Sequence, residues 1–579
     1  MENGQKAVSD LFEPRRVFNI PKYQRAYAWE TKQLQDFIGD LDNQVLGRDY
    51  FFGTILLQVR ENEGYFKVID IVDGQQRLTT LTIFIRLLID KLALSGDDVS
   101  ILRETYVQYR NEYKLRVLEY DQDFFRKCVL EDCEEAGDFV KTPSQRRLLQ
   151  AKKFFIKEIE PRSVDNLREL REKIENAKVL TYSVLNNAEA TLIFETTNDR
   201  GKPLTDLEKI KSFLMYKVYS VADDPESHLS AIQERFGEIY RDFEKTTPYL
   251  KIDEGFVLRN HYIVFESSIK RDSLSDYGKH LWLIKEKINA LTANPKNFAE
   301  ATKLIDNYSD GLKQTFSTIR RIAQYDDDDL DNLYRLERIA NFFPVLITSM
   351  KYASEGFYSE ESYISFGRVT KLLEIISFRV YGIRKRKLNN TAILKRLYGL
   401  AQDFKGDFNS LISSLKDVIG EFCSDHEFCN RLNSPAFYED ISANDLNYLF
   451  WQYENYLRQT EYPEDDLMNF HQYRNLSIEH IFSQTPREIP DWMNENFWDK
   501  YVNSIGNLVL DISYENSAKS NLSFDVKYRY YYQNSRFVSQ KELAHFKSPA
   551  TIEWDVSSIE KRRNKIINFA LTYWDYRNV

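Results

Sequence analysis

Cysteine is nearly absent from this sequence. Four in 579 residues cannot form the disulfide framework of a secreted domain. Glycine and proline are also scarce, at 20 and 14, which leaves little material for long flexible linkers. No run is apolar long enough to cross a bilayer; even TLTIFIRLLIDKLAL is broken by Arg86, Asp90 and Lys91. The opening residues, MENGQKAVSDLFEPRR, lack the basic start and apolar stretch of a secretory signal. These absences predict a cytoplasmic protein with no membrane segment. Positive charge is not in excess either: 79 Lys and Arg face 89 Asp and Glu, for a net charge of −10. That argues against coating nucleic acid by bulk electrostatics, although a local basic groove is compatible with it. Neither a GxxxxGK[ST] phosphate loop nor a GxSxG nucleophile turn occurs.

What is plentiful is aromatic. The chain holds 37 Tyr, 38 Phe and 7 Trp, ample material for packed helices, and its length calls for two to four domains. Strand-like and helix-like segments alternate through residues 1–225, predicting an α/β domain. Residues 226–440 read as almost wholly helical, and 441–579 as a compact polar and aromatic module. The fold class expected is therefore multidomain, α/β plus mainly α.

In the first segment, YFFGTILLQV and YFKVIDIV are β-branched and aromatic, each a strand. DGQQR follows the second. Leu78, Leu81, Ile85, Leu88 and Leu92 then recur at helical spacing. Gly74 permits a tight turn after Asp73, and the helix start offers unpaired N–H groups to an anion. Gln75, Gln76, Arg77 and Thr79 add side-chain donors. The same residues also suit an ordinary helix start whose Arg77 pairs with a surface carboxylate. Two further turns are rich in polar groups. IPKYQRAYAWE sets Gln24 and Arg25 among aromatics, and FETTNDRGKPLTDLEKIKSFLM carries Asn198 and Arg200 before a helix opened by Asp206 and Glu208.

In the last segment, SIEHIFSQ places Glu479 and His480 on a strand-like run. SIGNLVLDI follows, with Asn507 at a turn before a second strand, and then YENSAKSN opens a helix that continues through FDVKYRYYY. Strand with His, turn with Asn, strand, helix with Asn516 is the order of a ββα-metal nuclease. A neutral histidine can activate water, and oxygen ligands suit Mg2+ or Mn2+. A helical insert with Trp492 and Trp498 lies between the strands. His480 taken alone reads equally as a hydrogen-bonded structural residue.

Lesser signals are weighed against plainer explanations. The acidic run YDDDDLDN (325–332) reads as a solvated loop or helix start. Cys423, His426 and Cys429 supply three ligands where structural zinc takes four. FRVYGIRKRK (378–387), with Arg379, Arg384, Lys385, Arg386 and Lys387, is the best candidate for DNA-backbone contact, and a solvated helix end explains it as well. EKRRNKI (560–566) is a weaker basic patch.

IPKYQRAYAW, DYFFGTILL, DGQQRLTTL and FETTNDRGKPLTDLEKIK, in this order over residues 10–220, resemble the N-terminal domain of GmrSD-type modification-dependent restriction proteins. The resemblance implies a ParB/sulfiredoxin-like fold that binds and hydrolyses a nucleoside triphosphate. Gln24, Arg25, Asp73, Gly74, Gln75, Gln76 and Arg77 would line its pocket, with Asn198 and Arg200 completing it. Residues 440–579 resemble the HNH-type C-terminal domain of the same proteins. That likeness makes His480 the general base, gives the metal to Glu479 and Asn516, and has Asn507 orient the His480 loop. Asn521 is a lesser candidate for metal or phosphate, and Lys519 for the scissile strand. Ser483 stands where relatives usually carry proline, which would stiffen the turn after the base.

The expectation is an NTP-responsive, modification-dependent DNA endonuclease of type IV restriction, acting in anti-phage defence. Its partner is double-stranded DNA, modified phage DNA above all, and a homo-oligomer is compatible with it. Two other readings use the same residues: a nucleotide-switched DNA-binding or sensor protein with an inactive nuclease site, and an NTPase that acts without DNA cleavage.

Overall fold

A computed structural model describes residues 4–48, 50–60, 62–131, 137–184, 204–265, 278–355, 360–469, 475–490, 493, 496–548 and 552–579. The chain divides into two compact units, residues 1–265 with 275–324, and residues 266–274 with 325–579. It is mixed α/β and mostly helical.

The first unit is built on a six-stranded mixed sheet. Its strands are β1 (Gly4–Ala7), β2 (Arg16–Asn19), β3 (Phe51–Val59), β4 (Lys67–Asp73), β5 (Leu115–Arg116) and β6 (Lys178–Val184), in the order β1-β6-β3-β4-β2-β5. β4 runs antiparallel to β3 and parallel to β2, and β3 runs parallel to β6. Val68 through Val72 are buried without interruption, as a strand covered on both faces requires.

β4 delivers the chain into helix α1 (Gln75–Leu94) through Gly74, whose φ of +92° suits glycine and not a β-carbon-bearing residue. The predicted apolar stripe of α1 is buried, and so is nearly everything else from Gln75 to Ile89. α1 is thus a central helix rather than a half-exposed one. It packs against α2 (Pro143–Ile159) and α3 (Val164–Asn176). Helices α4 (Asp206–Val221), α5 (Pro225–Thr246) and α6 (Phe298–Ala323) pack on one another within the same unit.

The second unit is largely helical. Asp327 opens one helix of the acidic run by accepting the Leu330 N–H at 2.7 Å, so that run is a capped helix start. The unit also holds one antiparallel strand pair, β7 (Leu476–His480) and β8 (Leu508–Ile512), with His480 opposite Leu508. Helix α7 (Ala443–Thr460) lies along both strands. After β8 come α8 (Ser513–Lys519) and α9 (Phe524–Lys527). The single helix expected from Tyr514 through FDVKYRYYY is therefore two. Ser520 takes φ +38°, a left-handed conformation that ends α8, and α9 starts afresh after Ser523. The last long helix, α10 (Val556–Tyr573), packs on the turn Ile505–Asn507. A β-carbon at Gly506 would lie 2.2 Å from the Ile559 carbonyl oxygen, so only glycine permits this approach.

Two basic runs change meaning here. Arg379 is fully buried and donates to Asp425 and to the carbonyls of Cys423 and Trp574, so the start of 378–387 is structural. Arg562, from the 560–566 run, is equally buried and donates to the carbonyls of Gly506 and Leu508 under β8. In the sequence both looked like surface charges.

Candidate functional site

In the first unit, three segments meet at the N-terminus of α1. Gln24 Nε2 donates to the Val72 carbonyl at 2.6 Å, which ties the Tyr23–Arg25 turn to the end of β4. Gln76 bridges the next stretch, accepting from the Ala28 N–H at 2.8 Å and donating to the Ala26 carbonyl at 3.1 Å. Arg77 lies flat over Gly53: a β-carbon there would stand 1.7 Å from its Nη1. Burial pushes the Asp73 carboxyl up, against the pull of Arg77 and of a hydrogen bond from the Gly74 N–H.

Two residues of this cluster were missed as members from sequence alone. Glu208 and Lys211 sit three apart on α4 and so share a helix face. Glu208 closes the α4 cap with Thr205 and pairs with Arg25 at 3.0 Å. Lys211 Nζ donates to the Tyr23 carbonyl at 2.7 Å, and burial brings its pKa down to about 8. Gln75 Oε1 is buried with no hydrogen-bond partner among the described residues, an acceptor held in reserve. These donors are engaged by protein acceptors, and the space between them is closed. Arg25, Gln75, Gln76 and Thr79 line a cavity of about 10 Å³, room for one water. Asn198 and Arg200, the expected completion of the pocket, lie outside the described residues.

In the second unit, the faces of β7 decide the chemistry. Successive side chains of a strand point to opposite sides. Glu479 shares its face with Ser477 and with Asp511 on β8, and His480 takes the other. On Glu479's side four buried charges interlock. Lys527 Nζ stands 2.6 Å from Glu479 Oε1, and Lys519 Nζ stands 2.7 Å from Asp511 Oδ2. Neither lysine reaches solvent. Burial pushes Glu479 up and Lys527 down in pKa, since desolvation outweighs their attraction. Lys527 also donates to the His480 carbonyl at 2.8 Å, which fixes the backbone of the strand end. Lys519, expected near the scissile strand, is thus committed to the interior.

Asn516 donates to Ser477 Oγ at 3.1 Å and to the Ile478 carbonyl at 3.0 Å, tying α8 to β7. As placed, Glu479 and Asn516 do not form a divalent-cation site: the carboxylate already has its counter-ion, and hard cations need several free oxygens. Among the described residues no group of three or more His, Cys, Asp and Glu is disposed to hold a metal. Asn507 is fully buried and locks the turn after His480. Its Oδ1 accepts the Phe482 N–H at 2.8 Å, and its Nδ2 donates to the carbonyls of Phe482 and Val502 at 3.0 and 2.8 Å. Asn521 accepts from Arg487 at 3.1 Å. Ser483 Oγ accepts the Thr485 N–H at 3.1 Å, a side-chain bond that closes the turn after His480.

On the other face, His480 Nε2 lies 3.1 Å from Asn503 Oδ1, and burial pulls its pKa down to about 4. The Tyr438 ring stands edge-on, 4.5 Å from the imidazole. Beyond Phe482 and Ser483 opens a cavity of about 760 Å³, flanked by Arg487, Phe524, Arg529 and Trp554, within the size range of small-ligand sites. Trp498 opens a single wide helical turn in the insert, and Trp492 lies outside the described residues.

Both ends of the chain have counterparts among known families. Residues 8–215 match the N-terminal domain of GmrSD restriction endonucleases. Residues 422–569 match the C-terminal domain of GmrSD restriction endonucleases. No curated protein matches the chain.

Proposed function

Since the chain belongs to the GmrSD restriction endonuclease family, we propose that it cleaves DNA at His480 in a nucleotide-responsive, modification-dependent manner. The family makes it a nuclease of restriction and defence, with DNA as substrate. No helix among the described residues is long and apolar enough to cross a membrane. The rest of this reading goes further.

The observation that carries it is the environment of His480. Its imidazole is neutral well below physiological pH and stands at the end of a strand pinned by Lys527 and Asn507. A positioned neutral imidazole is the group required to take a proton from attacking water. An approaching phosphodiester anion would raise the basicity of His480 toward the working pH. The sequence β7, β8, α8 supports the ββα nuclease reading, and the cavity beside Ser483 is large enough to seat a nucleotide of the substrate. Dependence on Mg2+ or Mn2+ is part of the proposal on the strength of the family resemblance alone, because Glu479 is committed to Lys527.

The donor cluster at Arg25, Gln75, Gln76 and Arg77 is proposed to bind a nucleoside triphosphate. Arg25 would exchange Glu208 for phosphate as the closed space opens. The helices between residues 226 and 440 are proposed to couple the two activities. The test is cleavage of matched modified and unmodified DNAs, with Mg2+ or Mn2+ and each NTP in turn, by wild type and His480→Ala. Loss of cutting in the variant supports the assignment, and undiminished cutting removes it. NTP turnover with no cutting of any substrate would favour an NTPase that acts without DNA cleavage.

A further inference from the structure

The hydrogen bonds on the outer side of His480 fix more than its position. Asn503 Nδ2 lies 2.8 Å from Glu439 Oε1, and an ionised carboxylate can only accept. The amide therefore turns its NH2 toward Glu439 and its oxygen toward His480 Nε2, 3.1 Å away, and toward Gln484 Nε2, 3.0 Å away. The flipped amide would set an oxygen against the carboxylate and lose that bond. An amide oxygen can only accept, so Nε2 of His480 carries the hydrogen. A neutral imidazole has one N–H, which leaves Nδ1 with the lone pair. Asn503 is itself held by its backbone, whose carbonyl accepts the Tyr438 N–H at 3.0 Å, one residue before Glu439.

We propose that Asn503, aligned by Glu439, holds His480 as the Nε2–H tautomer and so makes Nδ1 the atom that takes the proton from water. The inference rests on the nuclease reading above and adds two positioning residues to it. Water loses one proton to Nδ1 as its oxygen bonds to phosphorus, the bond from phosphorus to the leaving sugar oxygen breaks, and that oxygen takes a proton from solvent; the imidazolium left behind keeps its Nε2–H pointed at Asn503. The amide oxygen faces the imidazolium as well as the imidazole, so the ring need not turn between the two states. The charged groups around the ring are Glu439, reached through Asn503, and Lys527, bonded to the His480 carbonyl. Neither Asn503 nor Glu439 was singled out by its sequence context. In YVNSIGN, Asn503 precedes Asn507 by four, and Glu439 lies in the short helix Phe437–Asp440.

The test uses the full chain labelled with 15N-histidine. With 7 histidines in the sequence, His480 is assigned by comparison with His480→Gln. The expected spectrum shows a protonated Nε2 and a bare Nδ1. Asn503→Leu should mix the tautomers and lower kcat by about tenfold or more, while DNA affinity stays put. Glu439→Gln can donate as well as accept, so it should give part of the Asn503→Leu effect. A wild-type His480 protonated on Nδ1 would overturn the inference, as would an Asn503→Leu protein with unchanged kcat and spectrum. An Nε2–H ring in a chain that cuts no DNA would leave the hydrogen-bond chain standing and sink the nuclease reading instead.

Discussion

Lys527 and Glu479 form a buried ion pair of 2.6 Å directly behind the strand position that carries His480. Two desolvated charges of this kind are worth little as a pair and a great deal singly. Lys527→Met should therefore destabilise the protein by roughly 3–5 kcal/mol, because it strands a buried carboxylate. The double variant Lys527→Met with Glu479→Leu should recover most of that loss. Urea unfolding of these two variants and of Glu479→Leu alone reads the result, and additive losses in the double variant would contradict the pairing.

His480 makes stability pH-dependent in one direction. Its folded pKa of about 4 lies below the ordinary value of 6.5. Above the ordinary value neither folded nor unfolded chain binds the proton, so nothing changes there. As pH falls from 6.5 toward 4 the unfolded chain takes up a proton that the folded chain refuses, and stability drops. At roughly 1.4 kcal/mol per unit the full loss approaches about 3 kcal/mol. His480→Gln should lack that loss over the window; thermal unfolding at several pH values, with parallel slopes for both proteins, would refute it.

Arg25 is held by Glu208 at 3.0 Å when no phosphate competes. Glu208→Gln should free the guanidinium and tighten NTP binding on the order of threefold to tenfold, the worth of about 1 kcal/mol. Arg77→Ala should abolish that binding. Equilibrium binding of labelled NTPs to the three proteins decides between a nucleotide pocket and an ordinary helix start.

Gly506→Ala should be among the most damaging substitutions in the second unit, since its β-carbon would fall 2.2 Å from the Ile559 carbonyl. Relief requires α10 to move off the turn before β8. A loss of about 3 kcal/mol or more in unfolding free energy is expected, with DNA cleavage falling alongside. An alanine protein as stable as wild type would mean that the contact yields easily.

What could be read from the letters was local. β3, β4, the glycine turn into α1 and the pair β7–β8 follow from short β-branched and aromatic runs and from glycine, whose signals lie within a few residues. Glu479 and His480 show where that stops. They are neighbours in the chain, and the pleat sends them to opposite faces, so one joins a lysine and the other an asparagine. Lys527, Asn503 and Glu439 are 48, 23 and 41 positions from the groups they meet or from His480, too far for spacing to reveal. Arg379 and Arg562 looked solvated because a basic run is usually a surface; helix packing overrode that rule. The break at Ser520 was hidden for a different reason: serine carries no strong signal for a left-handed turn, unlike the glycine at position 74.

The Arg562 bonds beneath β8 also set an order of events. The arginine lies 54 residues beyond Leu508, whose carbonyl it holds, so both strands leave the ribosome before their prop exists. Until α10 has been made and has docked, the end of the strand opposite His480 lacks its support. The half-synthesised chain therefore carries β7 and β8 without the bonds that hold the start of β8 in the finished protein.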